Sequence, residues 1–368
     1  MRTKFLNTAI GFLLCLTFAF GPAAGVITVR AEEADTIRYE DLRELLKSGN
    51  LALKKTISDY ETNVNNYQEM WDTFKWEQDN MEDRAENGDY DEEMKALYNS
   101  NASMLKSSAS RIYQQLDALQ DERSTRSVEK SVDSYTYAAQ TLMNSCSQLY
   151  SSLTVREKQV EALEAAYNAM VRKQEAGSAT AAQVLEAKKS LDAGRSQAAS
   201  LKEQADQSLY KLKVMLGLQN TSAQLSEMPG PDLSAVDAID FEADKQKAIG
   251  NDKSVQSARH SKANSTAQYN QRFREVNEAE GTAEAGITAA YEDLQVKKGL
   301  YLAAEQAFQS ASQVYQSLER KKQAGMLNNI QYLEGQVQYL QKKSARDIAS
   351  MNLLQAYESY CWEVQGIS

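Results

Sequence analysis

The chain of 368 residues has three prolines, three cysteines and one histidine. Nowhere does it offer the roughly 20 consecutive apolar residues that a membrane-spanning helix needs. Proline is the most telling scarcity, because it breaks helix interiors. Beyond Pro22 only Pro229 and Pro231 occur, both in "MPGPDL". Very long helices are therefore permitted on either side of that stretch, which reads as a linker between two halves. Few cysteines exclude a disulfide-dense scaffold and every multi-cysteine zinc motif. The one histidine, His260, sits among Arg259, Ser261 and Lys262. Metal sites need convergent ligands, so it reads as a solvated helix-face residue. The chain also lacks a Gly-rich phosphate loop, a G-x-S-x-G elbow and an H-E-x-x-H pair. No enzyme, cofactor, metal or catalytic residue is expected.

What is present begins with a leader. Arg2 and Lys4 precede an apolar run from Ala9 to Phe20, and a polar stretch ends at Val29-Arg30-Ala31. That is the pattern of a secretory signal peptide over residues 1–31. Cys15 lies inside the apolar run after Phe12-Leu13-Leu14, which does not suit a lipid-anchor site. Removing the leader's three basic residues leaves 38 basic against 51 acidic side chains, a mature charge of −13. An acidic surface argues against nucleic acid or anionic lipid as the main partner. Cys146 and Cys361 remain, and a buried thiol or a single bridge both stay open for them.

One phrase occurs twice. "RKQEAGSATAAQVLEA" (172–187) and "RKKQAGMLNNIQYLEG" (320–335) stand 148 residues apart and agree at seven of sixteen positions. Upstream of Gly177, a seam spaced 4 and 3 runs from Val128 through Val132, Ala139, Cys146, Leu153 and Leu163 to Met170. Twelve of its thirteen positions are apolar or semi-apolar. At the same offset a second seam runs from Ile287 through Leu294, Tyr301, Phe308 and Tyr315 to Leu318. A sustained 3.5-residue period predicts coiled helices, and a helix from about 128 to 176 is roughly 70 Å long. After each glycine a returning helix carries its own apolar spacing, the first ending at Leu216-Gly217. The recurrence at constant offset points to an internal duplication.

The turns fit this reading. Glycine adopts the left-handed conformation that closes a helix, and cations in the last turn suit the negative end of its dipole. Arg172-Lys173 and Arg320-Lys321-Lys322 sit there, as plain caps or as a basic rim that meets a partner. Further upstream, Leu46 to Met81 gives another heptad helix, broken at "AENGDYDEE" and resumed through Met94, Leu105 and Leu116. In the second half, Phe241 to Val276 is expected as a more polar helix, with "EAEGTAEAG" interrupting at Gly281 and Gly286. The expected fold is all-α: two duplicated long antiparallel coiled-coil hairpins with little or no β-structure. The halves span 32–227 and 237–368, around a linker at 228–236.

The order helix, glycine turn, V/Y-L-E, long return helix, L-G, given twice around a proline-containing linker, resembles the TolC family of outer-membrane efflux proteins. "IRYEDLRELLKSGNLAL" is similar to that family's first helix, with Gly49-Asn50 at its small-polar break, and "IDFEADKQKAIGNDKSV" is its counterpart. The resemblance implies a homotrimer that forms a helical conduit. Its tips, Gly177, Ser178 and Ala179 with Gly325, Met326 and Leu327, would meet a periplasmic adaptor protein linked to an ABC or other pump. Met326 and Leu327 either meet that partner or pack on the protomer's own neighbouring tip. Family members that gate the tunnel carry aspartates six and nine residues after the second tip glycine, which correspond here to Gln331 and Glu334. Glu334 is read either as a surviving ring of charge or as an exposed helix residue. The family's barrel strands need about 9 to 11 alternating residues, and the segments around 85–104 and 271–291 do not alternate. The expectation is thus an exported efflux component of the cell envelope without its barrel. The alternative is a secreted coiled-coil scaffold that transports nothing.

Overall fold

The computed structural model describes residues 36–367. The leader and Cys15 lie outside the described residues. Ten helices and two short strands follow in order: β1 (Thr36–Ile37), α1 (Leu42–Gly49), α2 (Leu51–Asn87), α3 (Glu92–Gln120), α4 (Glu122–Glu175), α5 (Ala181–Met215), β2 (Gln224–Leu225), α6 (Leu233–Asp237), α7 (Phe241–Asn251), α8 (Lys253–His260), α9 (Thr266–Gln323) and α10 (Asn329–Val364). The fold is all-α, as the proline pattern and the seams require. The strands are two residues each and pair in parallel, Thr36 with Gln224 and Ile37 with Leu225. They tie the start of the described chain to the strap after α5.

The two long hairpins are α4/α5 and α9/α10. The seam on α4 is buried or half-buried at every position from Val128 to Met170, with Val132, Ala139, Cys146 and Leu153 turned fully inward. α4 and α10 also run antiparallel side by side, so the hairpins lie in one layer in the order α5, α4, α10, α9. A polar ladder fixes their register. Tyr137 Oη meets Ser359 Oγ at 3.0 Å, and Asn144 Nδ2 donates to Met351 O at 3.0 Å and to Gln355 Oε1 at 2.6 Å. Gln148 Nε2 donates to Asn352 Oδ1 at 3.0 Å, and Ser151 Oγ donates to Ser344 Oγ at 2.9 Å. Each hydrogen bond adds about 1 kcal/mol net, and together they exclude slipped pairings in which these amides are left unmet.

At the other end from the tips each half folds back through a matching corner. The corner of the first half is the break between α1 and α2, where Asn50 caps α2 by accepting from Leu53 N at 2.9 Å and donates Nδ2 to Met215 O at 2.8 Å. In the second half Asn251 donates Nδ2 to Val364 O at 2.9 Å. Gly217 and Gly366 close the two returning helices at φ 73° and 71°. A Cβ on either would come within 2.3 Å of a backbone oxygen, Gly49 O or Asn251 O. Around the first corner Leu42, Leu46, Leu53, Val132, Leu212 and Leu216 are wholly buried. Full burial of a leucine stabilises by roughly 1.5–3 kcal/mol. Val236, Ala248, Ile287, Leu294, Leu353 and Tyr360 form the equivalent cluster in the second half.

Two expectations need correction. The helix expected over 241–276 is instead α7, α8 and the start of α9, because Asp252 and Ser265 act as new N-caps, accepting from Val255 N and Gln268 N. Conversely, Gly281 and Gly286 do not interrupt: α9 runs unbroken for 58 residues. Each interior glycine costs a helix about 1 kcal/mol, and burial of Ala283, Ile287 and Leu294 on the same stretch outweighs that. The break expected at "AENGDYDEE" falls between α2 and α3, and these helices form a third hairpin.

Candidate functional site

The two glycine turns lie at one end of the molecule. Along the ladder, moving from Tyr137 to Ser151 on α4 is moving from Ser359 to Ser344 on α10. The C-terminus of α4 and the N-terminus of α10 therefore point the same way. Each turn is built identically. Ser178 N donates to Lys173 O at 2.8 Å and Gly177 N to Gln174 O at 2.9 Å, while Met326 N donates to Lys321 O at 2.9 Å and Gly325 N to Lys322 O at 3.0 Å. This is the paired bonding of a helix closed by a left-handed residue, and Gly177 and Gly325 stand at φ 73° and 70°.

The following helix starts the same way in both turns. Thr180 and Gln183 form a capping box on α5, and Asn328 and Gln331 form one on α10. Gln331 N donates to Asn328 Oδ1 at 2.9 Å, and Gln331 Oε1 accepts from Asn328 N at 3.2 Å. The Gln331 amide is thus held at the start of the helix, doing what Gln183 does in the first half. Glu334, one turn further on, is exposed. The sequence carries this signal as T-x-x-Q and N-x-x-Q after each glycine.

Ser178 is exposed and its hydroxyl donates to Lys173 O at 2.9 Å; Ala179 is half-buried. Met326 is 75% exposed, while Leu327 is half-buried. Arg172, Lys173, Arg320 and Lys321 are exposed, so the end of the molecule presents four cations on an acidic chain. Lys322 folds inward instead, its Nζ 3.3 Å from Asn329 Oδ1 and over the Tyr332 ring. Just above, Tyr315 stacks on Tyr339 with centroids 4.4 Å apart, and Gln336 Nε2 donates to the hydroxyls of Tyr315 and Tyr332 at 3.0 and 3.1 Å. Burial pushes the Tyr315 phenol up to about 12, so it stays a neutral hydrogen-bonding group. The end is a basic, partly apolar knob closed by two capped turns.

His260 is exposed at the end of α8. Both cysteines are free thiols, Cys146 buried against Ala205 O and Cys361 half-buried in the second-half cluster. Among the described residues no group of three His, Cys, Asp or Glu is placed to hold a metal ion. Among the same residues no helix is long and apolar enough to cross a membrane.

These features define a class: an elongated all-α protein made of two duplicated hairpins laid side by side with both turns at one end. No family model matches the chain, and no curated protein does. Among solved structures it is similar to the Campylobacter jejuni CmeC outer membrane channel, at 14% identity over 89% of this chain and 86% of that one, with a TM-score of 0.45. It is also similar to CusC, at 12% identity over 87% and 96% with a TM-score of 0.47. The outer membrane protein VceC from Vibrio cholerae matches at 10% identity over 90% and 97%, with a TM-score of 0.45.

Proposed function

We propose that the protein is an exported TolC-like component of the cell envelope, in which three copies stand side by side as a helical conduit or docking element. The observation that carries this reading is the pair of matched glycine turns at one end, each rigidly capped and together presenting four exposed cations and the bare Met326 side chain. An apolar side chain exposed at a rigid tip invites cover by a partner. A helical-hairpin adaptor with an acidic tip, itself linked to an ABC or other pump, suits that surface. Glu334, repeated around a threefold axis, would set a ring of negative charge that favours cations, with Gln331 serving the cap beside it. The chain acts without cofactor or metal and not as an enzyme. The two halves at 32–227 and 237–368, joined across 228–236, are the units of the duplication.

The test is assembly and contact together. Native mass spectrometry of the mature chain is expected to give a trimer, and photo-cross-linkers at Ser178 and Met326 are expected to reach an adaptor-type protein in the envelope. A stable monomer whose tips cross-link to nothing would replace the conduit with the secreted scaffold.

A further inference from the structure

Charge is unevenly spread on this acidic chain, and the imbalance gathers at the end opposite the tips. From Lys253 to Arg274, across α8 and the start of α9, there are five Lys or Arg residues and no carboxylate. From Glu61 to Gln120, in the α2/α3 hairpin, thirteen carboxylates stand against five cations. Past Gly286, which Glu363 of α10 overlies, α9 continues away from its tip for about 30 Å to its start at Thr266. The hairpin leaves the matching corner of the first half, and past Tyr60 its two helices pack mainly on each other. Counted along the helices from the two corners, Glu69 and Asp72 stand about as far from the tips as the α8/α9 turn does. The two segments nevertheless belong to opposite edges of the layer. Asn50 Nδ2 donates to Met215 O and so holds the hairpin's base to the end of α5, one edge, whereas α8 packs on α9, the other edge.

Each segment also exposes aromatic rings among its charges. On α2, Glu69, Asp72, Trp76, Asp79 and Asp83 recur at spacings of 3 and 4 and so share one face. All five are exposed, Trp76 by 62%. Lys75 reaches Asp79 at 3.5 Å, which still leaves three carboxylates around the indole. At the start of α9, Tyr269 and Phe273 lie one turn apart and are 56% and 61% exposed. Arg272 covers the Tyr269 ring at 5.3 Å and donates to Ser261 O at 3.1 Å, and Arg259 pairs with Glu280 of its own half at 2.7 Å. Lys253, Lys262 and Arg274 are exposed. One face offers carboxylates around an indole, and the other offers cations around two rings. The pairing suits ion pairs and cation–π contacts together, for which tryptophan is the best ring.

We infer that the acidic face of α2 in one copy docks on the basic α8/α9 turn of the next, a head-to-tail contact repeated around the assembly at the end opposite the tips. This rests on the side-by-side assembly proposed above. There the α5 edge of each copy meets the α9 edge of its neighbour, so two elements that lie apart within one chain come together between chains. Charge complementarity selects a second copy as the occupant. A flat anionic surface such as a lipid bilayer would meet the hairpin's carboxylates at the same end as the cations and be repelled by them. A neighbouring copy brings its carboxylates to the cations alone. Single exposed ion pairs contribute little, and this contact combines several of them with the burial of three aromatic rings.

The test is a charge swap in the full mature chain, with assembly followed by native mass spectrometry. Glu69→Lys/Asp72→Lys and, separately, Lys262→Glu/Arg274→Glu alter exposed residues, and helical circular dichroism checks that each variant is folded. Each pair alone sets like charges against each other and is expected to weaken assembly at least about tenfold. The four changes together restore opposite charges and are expected to restore assembly. A benzophenone amino acid in place of Phe273 is expected to give covalent dimers whose linked peptide comes from α2 of the other copy. An intact assembly that neither reversal weakens, a combined variant no better than the single pairs, or adducts from position 273 only to lipid, to a different protein or to another part of the chain overturns the inference and leaves the conduit standing. A monomeric mature chain overturns both.

Discussion

Replacing Gly217 by alanine is expected to cost far more than the same change at Gly177, although the two residues have the same backbone conformation. Both sit at φ 73°. A left-handed non-glycine residue costs roughly 1–2 kcal/mol, offset by up to about 1 kcal/mol from reduced freedom of the unfolded chain. Around Gly177 nothing lies within 4 Å of an added Cβ, so Gly177→Ala is expected to destabilise by about 1 kcal/mol. At Gly217 the new Cβ would stand 2.3 Å from Gly49 O and 2.8 Å from Gly49 C. Backbone atoms cannot rotate away, so the α1/α2 corner must retreat from α5 by about an ångström. That retreat disturbs Leu46, Leu53, Leu212 and Leu216, all wholly buried in one cluster. Forcing extra volume into a packed core costs roughly a further 1–3 kcal/mol, giving a total of about 3 kcal/mol for Gly217→Ala. Equilibrium urea unfolding followed by circular dichroism at 222 nm reads the difference as a larger drop in midpoint at unchanged slope. Equal losses for the two variants, or a greater loss at Gly177, would refute the account of the corner as a close backbone contact.

Two further outcomes follow from buried titratable groups. Burial holds the Glu358 carboxyl above its ordinary 4.5, with a hydrogen bond from Gln140 offsetting part of the rise. A raised folded pKa means the favourable contribution is complete below the unfolded value and is lost as pH climbs through the folded one. Glu358→Gln is therefore expected to raise the melting temperature near pH 7.5 and to bring no gain near pH 4; a gain that persists at pH 4 would show that charge burial is not the cause. Desolvation pushes the Cys146 thiol up to about 11, beside Ala205 O on the neighbouring helix. In a Cys361→Ser variant of the mature chain, thiol labelling at pH 8 is expected to wait for unfolding, whereas unfolded, unreduced mature chain with both Cys146 and Cys361 yields two thiols; fewer than two would mean a bridge.

Much of this architecture was legible in the residues because it is local. The tip of each hairpin needs a left-handed glycine, a basic last turn and a capping residue three before a glutamine, and "RKQEAGSATAAQ" and "RKKQAGMLNNIQ" spell all of these out. The role of Gln331 was not legible from its distance to Gly325 alone, since that distance fits a pore position and a capping position equally. The structure shows the capping box that Gln331 forms with Asn328, a bond the distance alone did not indicate. Gly281 and Gly286 were misleading for the opposite reason: a local cost near 1 kcal/mol each is small beside the burial that neighbouring Ile287 and Leu294 gain from distant partners.

The sequence by itself determined that the chain is long helix, that a hairpin is given twice, and where each turns, because proline scarcity, 3.5-residue spacing and glycine chemistry act within a few residues. Only the tertiary structure decided which helix lies beside which. Nothing local to Asn144, Gln148 and Ser151 points to Gln355, Asn352 and Ser344, some two hundred residues later, which lie opposite them. Their register puts both tips at one end. The same holds for the α2/α3 hairpin: its heptads predict a pair of helices, but that they pack mainly on each other follows only from where the rest of the chain lies.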